Sequence, residues 1–150
     1  MRLGILGTLS IGVLLVGQVA LAETVKIGFV TTLTGGAGAI GNDMRDAVEL
    51  ALDHLGRKMG NSDVKMFYED DTFKPAVGKQ KTEKLVKKDK VHFVTGYIWS
   101  HVLMASRNSV VGKGPFMITS NAGPGPVAGK LCHEDFFSTS WQNDQTTMAM

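Results

Sequence analysis

The chain has 150 residues, with 16 Lys and Arg against 14 Asp and Glu. That near balance argues against a nucleic-acid partner, because binding a phosphate backbone selects for net positive charge. Cys132 is the only cysteine, and the neighbouring run Cys132-His133-Glu134-Asp135 cannot converge on one ion. No second Cys or His group lies at zinc spacing, so no metal centre is expected, and Cys132 is either a free thiol or has its partner elsewhere.

Residues 1–22 carry one charge, Arg2, followed by an apolar run that ends in Ala20-Leu21-Ala22. This is the pattern of a secretory signal peptide cleaved after Ala22. Its core, Leu3 to Val16, is diluted by glycines and is short against the ~20 residues of a spanning helix. Removal of the leader takes Lys and Arg from 16 to 15 against the same 14 acids, a net charge of +1. The remaining 128 residues, 23–150, are enough for one domain.

Val25–Thr31 is a short β-rich run without charge after Lys26, as expected of a strand buried on both faces. The loop Thr32–Gly41 contains Gly36-Ala37-Gly38-Ala39-Ile40-Gly41, a literal GxGxxG. Between a strand and a helix, that spacing is a dinucleotide fingerprint or simply a tight turn. A helix is predicted to start at Asn42 as N-cap, with Asp43 and Asp46 in its first turn. Met44, Ala47, Val48, Ala51, Leu52 and Leu55 form its apolar face, and Gly56 stops it.

A polar turn over 56–63 leads to a second strand, Val64–Glu69. The acidic run Glu69-Asp70-Asp71 offers a cation site or, preferably, a cap for the next helix, whose first turn suits Pro75. That helix is predicted over 76–88, with Val77, Leu85 and Val86 inward. Lys87, Lys88 and Lys90 read as a solvated face. A third strand follows at 91–97, then the loop Ile98-Trp99-Ser100-His101, and a helix over 102–111. A fourth strand spans 116–119. Three glycines and two prolines mark 120–130 as a long turn, and 136–140 is a fifth extended segment. Asn143 or Asp144 is a candidate N-cap for a helix from Gln145. The sequence stops at Met148-Ala149-Met150, inside a helix with a start signal and no stop signal, so it reads as the front part of a longer protein.

Alternating strands and helices imply an α/β fold: a parallel, doubly wound sheet with helices on both faces. Ligands in such sheets bind beyond the carboxyl ends of the strands, where the order reverses. With strand order 2-1-3-4, the loops Thr32–Gly41, Ile98–His101 and Ser120–Gly123 meet at one crevice. Ser100 supplies a hydroxyl near a helix start. Asn121, Ala122 and Gly123 let a ligand approach the backbone, and Ile40 and Trp99 can pack on an apolar tail. Hydroxyl, backbone N–H and helix start together suit a carboxylate. There is no GxSxG or GxxxxGK[ST], and no acid pair with a reason to split its pKa values.

Four stretches, VKIGFVTTLTGGAGAIGNDMRDAVELALDHL, VTGYIWSHVLMAS, PFMITSNAGPGP and FFSTSWQNDQ, occur in an order and spacing that resembles the leucine/isoleucine/valine-binding protein family. These are periplasmic solute-binding proteins of ABC importers with a two-lobed type I fold. The resemblance implies a signal peptide over 1–22, the N-terminal part of the first lobe over 23–140, and the hinge with the start of the second lobe over 141–150. It implies that Ser100, with Asn121 and Gly123, holds a carboxylate. Gly123 falls where members often carry a threonine, and Ile40 where an aromatic often covers the ligand. Trp99 falls where some members have a disulfide cysteine. Amino-acid transport is implied, with a membrane permease as partner, no cofactor and a monomer when complete. Aromatic or aliphatic acids are the alternative ligands, and a receptor's ligand-sensing domain is a further reading. An NAD-binding enzyme would need an acidic ribose partner about 20 residues after the glycines. Glu69 or Asp70 lies some ten residues beyond that distance, and export removes the chain from cytoplasmic cofactor pools.

Overall fold

The computed structural model describes residues 23–149. The predicted leader, 1–22, lies outside the described residues. Six strands form one sheet: β1 (Val25–Thr31), β2 (Lys58–Met59), β3 (Ser62–Asp70), β4 (Phe93–Gly96), β5 (Phe116–Thr119) and β6 (Phe136–Ser138), in spatial order β2-β3-β1-β4-β5-β6. All pairings are parallel except β2 with β3. Four α-helices, α1 (Gly38–His54), α2 (Pro75–Lys84), α3 (Ser100–Arg107) and α4 (Asn143–Met148), join or follow the strands. The expected 2-1-3-4 order is present. The predicted polar turn over 56–63 also holds β2, which makes a small hairpin with the start of β3.

The sheet separates its side chains by parity. Phe29 and Tyr68 meet edge to face at 5.6 Å, and the Tyr68 hydroxyl donates to Glu49 of α1, so these residues face α1. The opposite face carries Val30, Val94 and Met117, all buried, which cluster with Leu85, Val102, Leu103 and Val110 from the α2 and α3 side. Glu69 points the same way and is paired by Lys81 at 2.9 Å and by Lys84. Gly28 keeps β1 close to this layer, since a Cβ there would press on Leu85.

All four α-helices have boundaries that differ from expectation. Helix α1 begins at Gly38, not after Asn42, because Gly38 and Gly41 let its first turn lie on the preceding loop. A Cβ at Gly38 would meet the Leu33 carbonyl oxygen at 2.7 Å, and one at Gly41 would overlap that of Thr32. Asn42 is therefore no N-cap; its side-chain amide donates to the carbonyls of Leu33 and Gly38. Only Leu52 of the predicted apolar face is buried, while Ala47, Ala51 and Leu55 are exposed.

Helix α2 starts at Pro75 and ends in a π turn over Leu85–Asp89, closed by Lys90 at φ 52°. Helix α3 starts two residues earlier and ends four earlier than predicted, at Arg107. For α4, Gln142 is the N-cap and exchanges a capping box with Gln145. The acidic run does not cap α2, whose N-cap is Lys74 with no side-chain cap bond. Asp70 and Asp71 instead turn back on the loop after β1.

Candidate functional site

The strand order reverses between β1 and β4. There β4 ends in Gly96 and Tyr97, both in the left-handed region at φ 104° and 52°. A Cβ at Gly96 would collide with the Val30 backbone, so glycine is required for β4 to end against β1. Tyr97 then donates its N–H to Val30 O at 2.6 Å, and its carbonyl accepts from Ala122 N at 3.1 Å. Its buried hydroxyl shares a 2.6 Å hydrogen bond with Thr82, and burial pushes its pKa well above the ordinary tyrosine value. One residue thus ties the end of β1 to the loop after β5.

The chain next emerges as Trp99 and Ser100, whose side chains part. The Trp99 indole N–H donates to Thr32 Oγ1 at 2.9 Å, and Thr32 donates to Asp71 Oδ1 at 2.5 Å. The Trp99 ring lies edge to face with Phe73 at 4.7 Å, and Phe73 also meets His101 at 5.1 Å. Asp70 accepts from Leu33 N at 2.9 Å and from Thr34 Oγ1 at 2.6 Å. Burial alone would raise the Asp70 pKa, but its bonds from Thr34, Leu33 and Thr72 outweigh that and hold it below the ordinary carboxylate value. Thr72 and Phe73 sit at φ 49° and 64°, held by N–H bonds to Asp70 and Asp71 at 2.8 Å. These are Asx turns. Trp99, Thr32, Phe73 and the two aspartates fasten three loops into one rim.

Ser100, the first residue of α3, has its Oγ accepting from Asn143 Nδ2 at 2.9 Å. The loop after β5 is closed by Thr119 Oγ1 donating to Ala122 O at 2.7 Å. Asn121 O accepts from Ser140 Oγ at 3.0 Å, and Gly123 O accepts from Asn143 N at 2.7 Å. The segment 139–143 therefore crosses over this loop. It passes so close that a Cβ on Gly123 would overlap the Trp141 carbonyl oxygen.

Of the predicted residues, Ser100, Asn121, Ala122 and Gly123 share one hydrogen-bonded assembly. Trp99 belongs to the rim beside it, and Ile40 stands on the first turn of α1, 45 % exposed. A hollow of ≈ 320 Å³ adjoins Gly123, walled also by Val127, Phe136 and Gln142. It is at the small end of the ~300–1,000 Å³ range of ligand sites, and Ser100 is not among its walls.

Sequence reasoning missed Thr32, Phe73, Tyr97 and Asn143. The Asx-turn pattern of Asp70 and Asp71 was the available signal for the rim. Among the described residues, no group of His, Cys, Asp and Glu has the arrangement to hold a metal ion. The glycine fingerprint approaches its own chain: Gly38 and Gly41 sit against the loop carbonyls, and Gly36 is exposed. The acids proposed for a ribose are engaged, Glu69 with two lysines and Asp70 with the loop.

A family described as periplasmic binding protein matches residues 24–150. Among solved structures, an ABC transporter substrate-binding protein from Sphaerobacter thermophilus is 30 % identical, with a TM-score of 0.76 over 82 % of this chain and 34 % of its own. A solute-binding protein of an R. palustris ABC transporter, in complex with benzoate, is 26 % identical, with a TM-score of 0.77 over 81 % of this chain and 34 % of its own. A leucine-binding protein from Thermotoga maritima shares the fold at 17 % identity, with a TM-score of 0.77 over 85 % of this chain and 35 % of its own. The chain thus spans about a third of the length of these structures. No curated protein matches the chain.

Proposed function

Since the chain belongs to the periplasmic binding protein family, with the sheet of a type I lobe, we propose that it is part of the substrate-binding component of an ABC importer. The component takes up a small carboxylate in the periplasm, reached by way of a cleaved leader over 1–22, and passes it to a membrane permease. Residues 23–140 contribute to the first lobe, and 141–150 to the hinge and the start of the second. The role is binding, not catalysis.

The observation that carries this reading is the convergence of Ser100 with the Asn121–Gly123 loop at the reversal of strand order. Ser100 opens α3: the N–H groups of Val102 and Leu103 go to the Trp99 carbonyl, those of Ser100 and His101 precede the first intrahelical bonds, and Trp99 offers no side-chain cap. A hydroxyl beside such N–H groups is an anion site. Ala122 and Gly123 leave the ligand close to the backbone, while Trp99 and Ile40 border the approach. Branched-chain amino acids fit this chemistry, and so do aromatic acids. The benzoate-bound relative favours the second class, and glycine at 123 removes a side-chain contact that an amino-acid head group would use.

The test is a thermal-shift screen of the protein, expressed from its full reading frame, against branched-chain amino acids, benzoates and NAD. A millimolar ligand of micromolar affinity adds about 4 kcal/mol and gives a clear rise in melting temperature. Ser100→Ala is expected to weaken the best acid by about 10- to 100-fold, the loss of one charge-assisted hydrogen bond of about 1.5–3 kcal/mol. A shift with NAD and none with any acid would overturn the reading.

A further inference from the structure

We infer that Asn143 is a specificity-determining positioning residue for the ligand's carboxylate, acting through Ser100. The inference rests on the carboxylate reading above. Asn143 is bound to both halves of the predicted site: its backbone N–H donates to Gly123 O at 2.7 Å, and its side-chain amide donates to Ser100 Oγ at 2.9 Å.

The direction of the second bond matters. A serine hydroxyl has one proton to donate and two lone pairs with which to accept. With one lone pair taken by the Asn143 amide, the Ser100 proton is turned away from that amide. An incoming carboxylate, which only accepts, finds the hydroxyl already set to donate. A neutral amide donating into a hydroxyl that donates to an anion also polarises the chain of bonds in the favourable sense. Replacing the amide by a carboxylate reverses this order. Asp at 143 would take the Ser100 proton for itself and add a negative charge beside the ligand's own.

The location adds a second consequence. Asn143 ends the segment that crosses the β5 loop, so the residue that orients Ser100 is carried on the connection out of the sheet. Movement of that connection alters the donor that Ser100 presents to the ligand.

Asn143→Asp separates this role from a structural one, because Asp is isosteric, keeps the backbone N–H bond to Gly123 and places a carboxylate in the first turn of α4, where the helix dipole favours it. The probes are benzoate with benzamide and leucine with leucinamide, measured by calorimetry on the protein from its full reading frame. For Asn143→Asp we expect the acid that wild type binds to lose more than about tenfold in affinity, with its amide changed less than about threefold and the melting temperature held. Asn143→Ala should weaken the acid by a smaller factor, and in the Ser100→Ala background Asn143→Ala should have no further effect. Equal loss of acid and amide, or an acid affinity unchanged in Asn143→Asp, overturns the inference and leaves the carboxylate reading standing. If wild type binds neither acid, the carboxylate reading fails first, and this inference with it.

Discussion

Asp70 shows how a single carboxylate organises a rim. It accepts from Leu33 N, Thr34 Oγ1 and Thr72 N, and a carboxylate suits three donors because it only accepts. Its folded pKa lies below the unfolded value of 3.8. The contribution is therefore complete above that value and is lost as pH falls through the folded pKa. Glu69 behaves in the same sense: burial would raise its pKa, and the bonds from Lys84 and Lys81 bring it below 4.5. Acid titration of the melting temperature should show stability falling below about pH 5. Asp70→Asn should cost about 1–3 kcal/mol at neutral pH, by leaving a donor unmatched. The same variant should flatten the acid limb. An acid limb identical to wild type would show that Asp70 does not carry this dependence.

At the scale of elements, the glycines of the first loop separate by what lies opposite them. Gly41 packs against the Thr32 carbonyl, whereas Gly36 is exposed with open space around its Cβ position. Gly41→Ala should destabilise by about 1–3 kcal/mol through overpacking, and Gly36→Ala should stay within about 0.5 kcal/mol. Denaturant midpoints of the two variants decide the matter, and equal effects would return the loop to a role outside packing.

The parallel core strands were legible in the sequence because each holds a short apolar run between turn residues, whereas β2, a two-residue strand in a polar stretch, was not. Val25–Thr31 and Phe116–Thr119 fall where those runs place them. The start of α1 was not legible, because Asn42 has the chemistry of an N-cap while the deciding contact, between Gly38 and the Leu33 carbonyl, is tertiary. The acidic run misled for a similar reason. Local spacing points Asp70 and Asp71 at the next helix, yet their partners lie about forty residues earlier. Ser100 and the Asn121–Gly123 loop could be placed from strand order alone. The direction of Trp99, toward Thr32 and away from Ser100's partner, could not.

Among the described residues, the two faces of the sheet are unequally covered. On the α1 face, Phe93, Phe116 and Phe137 form a row, with ring centroids 5.9 and 6.0 Å apart. Phe116 and Phe137 are 40 % and 51 % exposed, and β6 ends the strand order. An aromatic row beside an open edge promotes association. Residues 23–150 expressed alone should self-associate on size-exclusion chromatography and bind a hydrophobic dye. Phe116→Lys with Phe137→Ser should reduce both. A monomeric profile with a cooperative melt for the unmodified segment would refute this expectation.

The crossing over Gly123 bears on how this protein can change over generations. The obstacle to a side chain there is the Trp141 backbone oxygen, which no substitution at 141 removes. A threonine at 123 is therefore closed to single-step evolution while the crossing keeps its path. A side chain at 123 can therefore arise only together with a shift of the 139–143 path, so the residue there and the backbone above it change as one coupled trait.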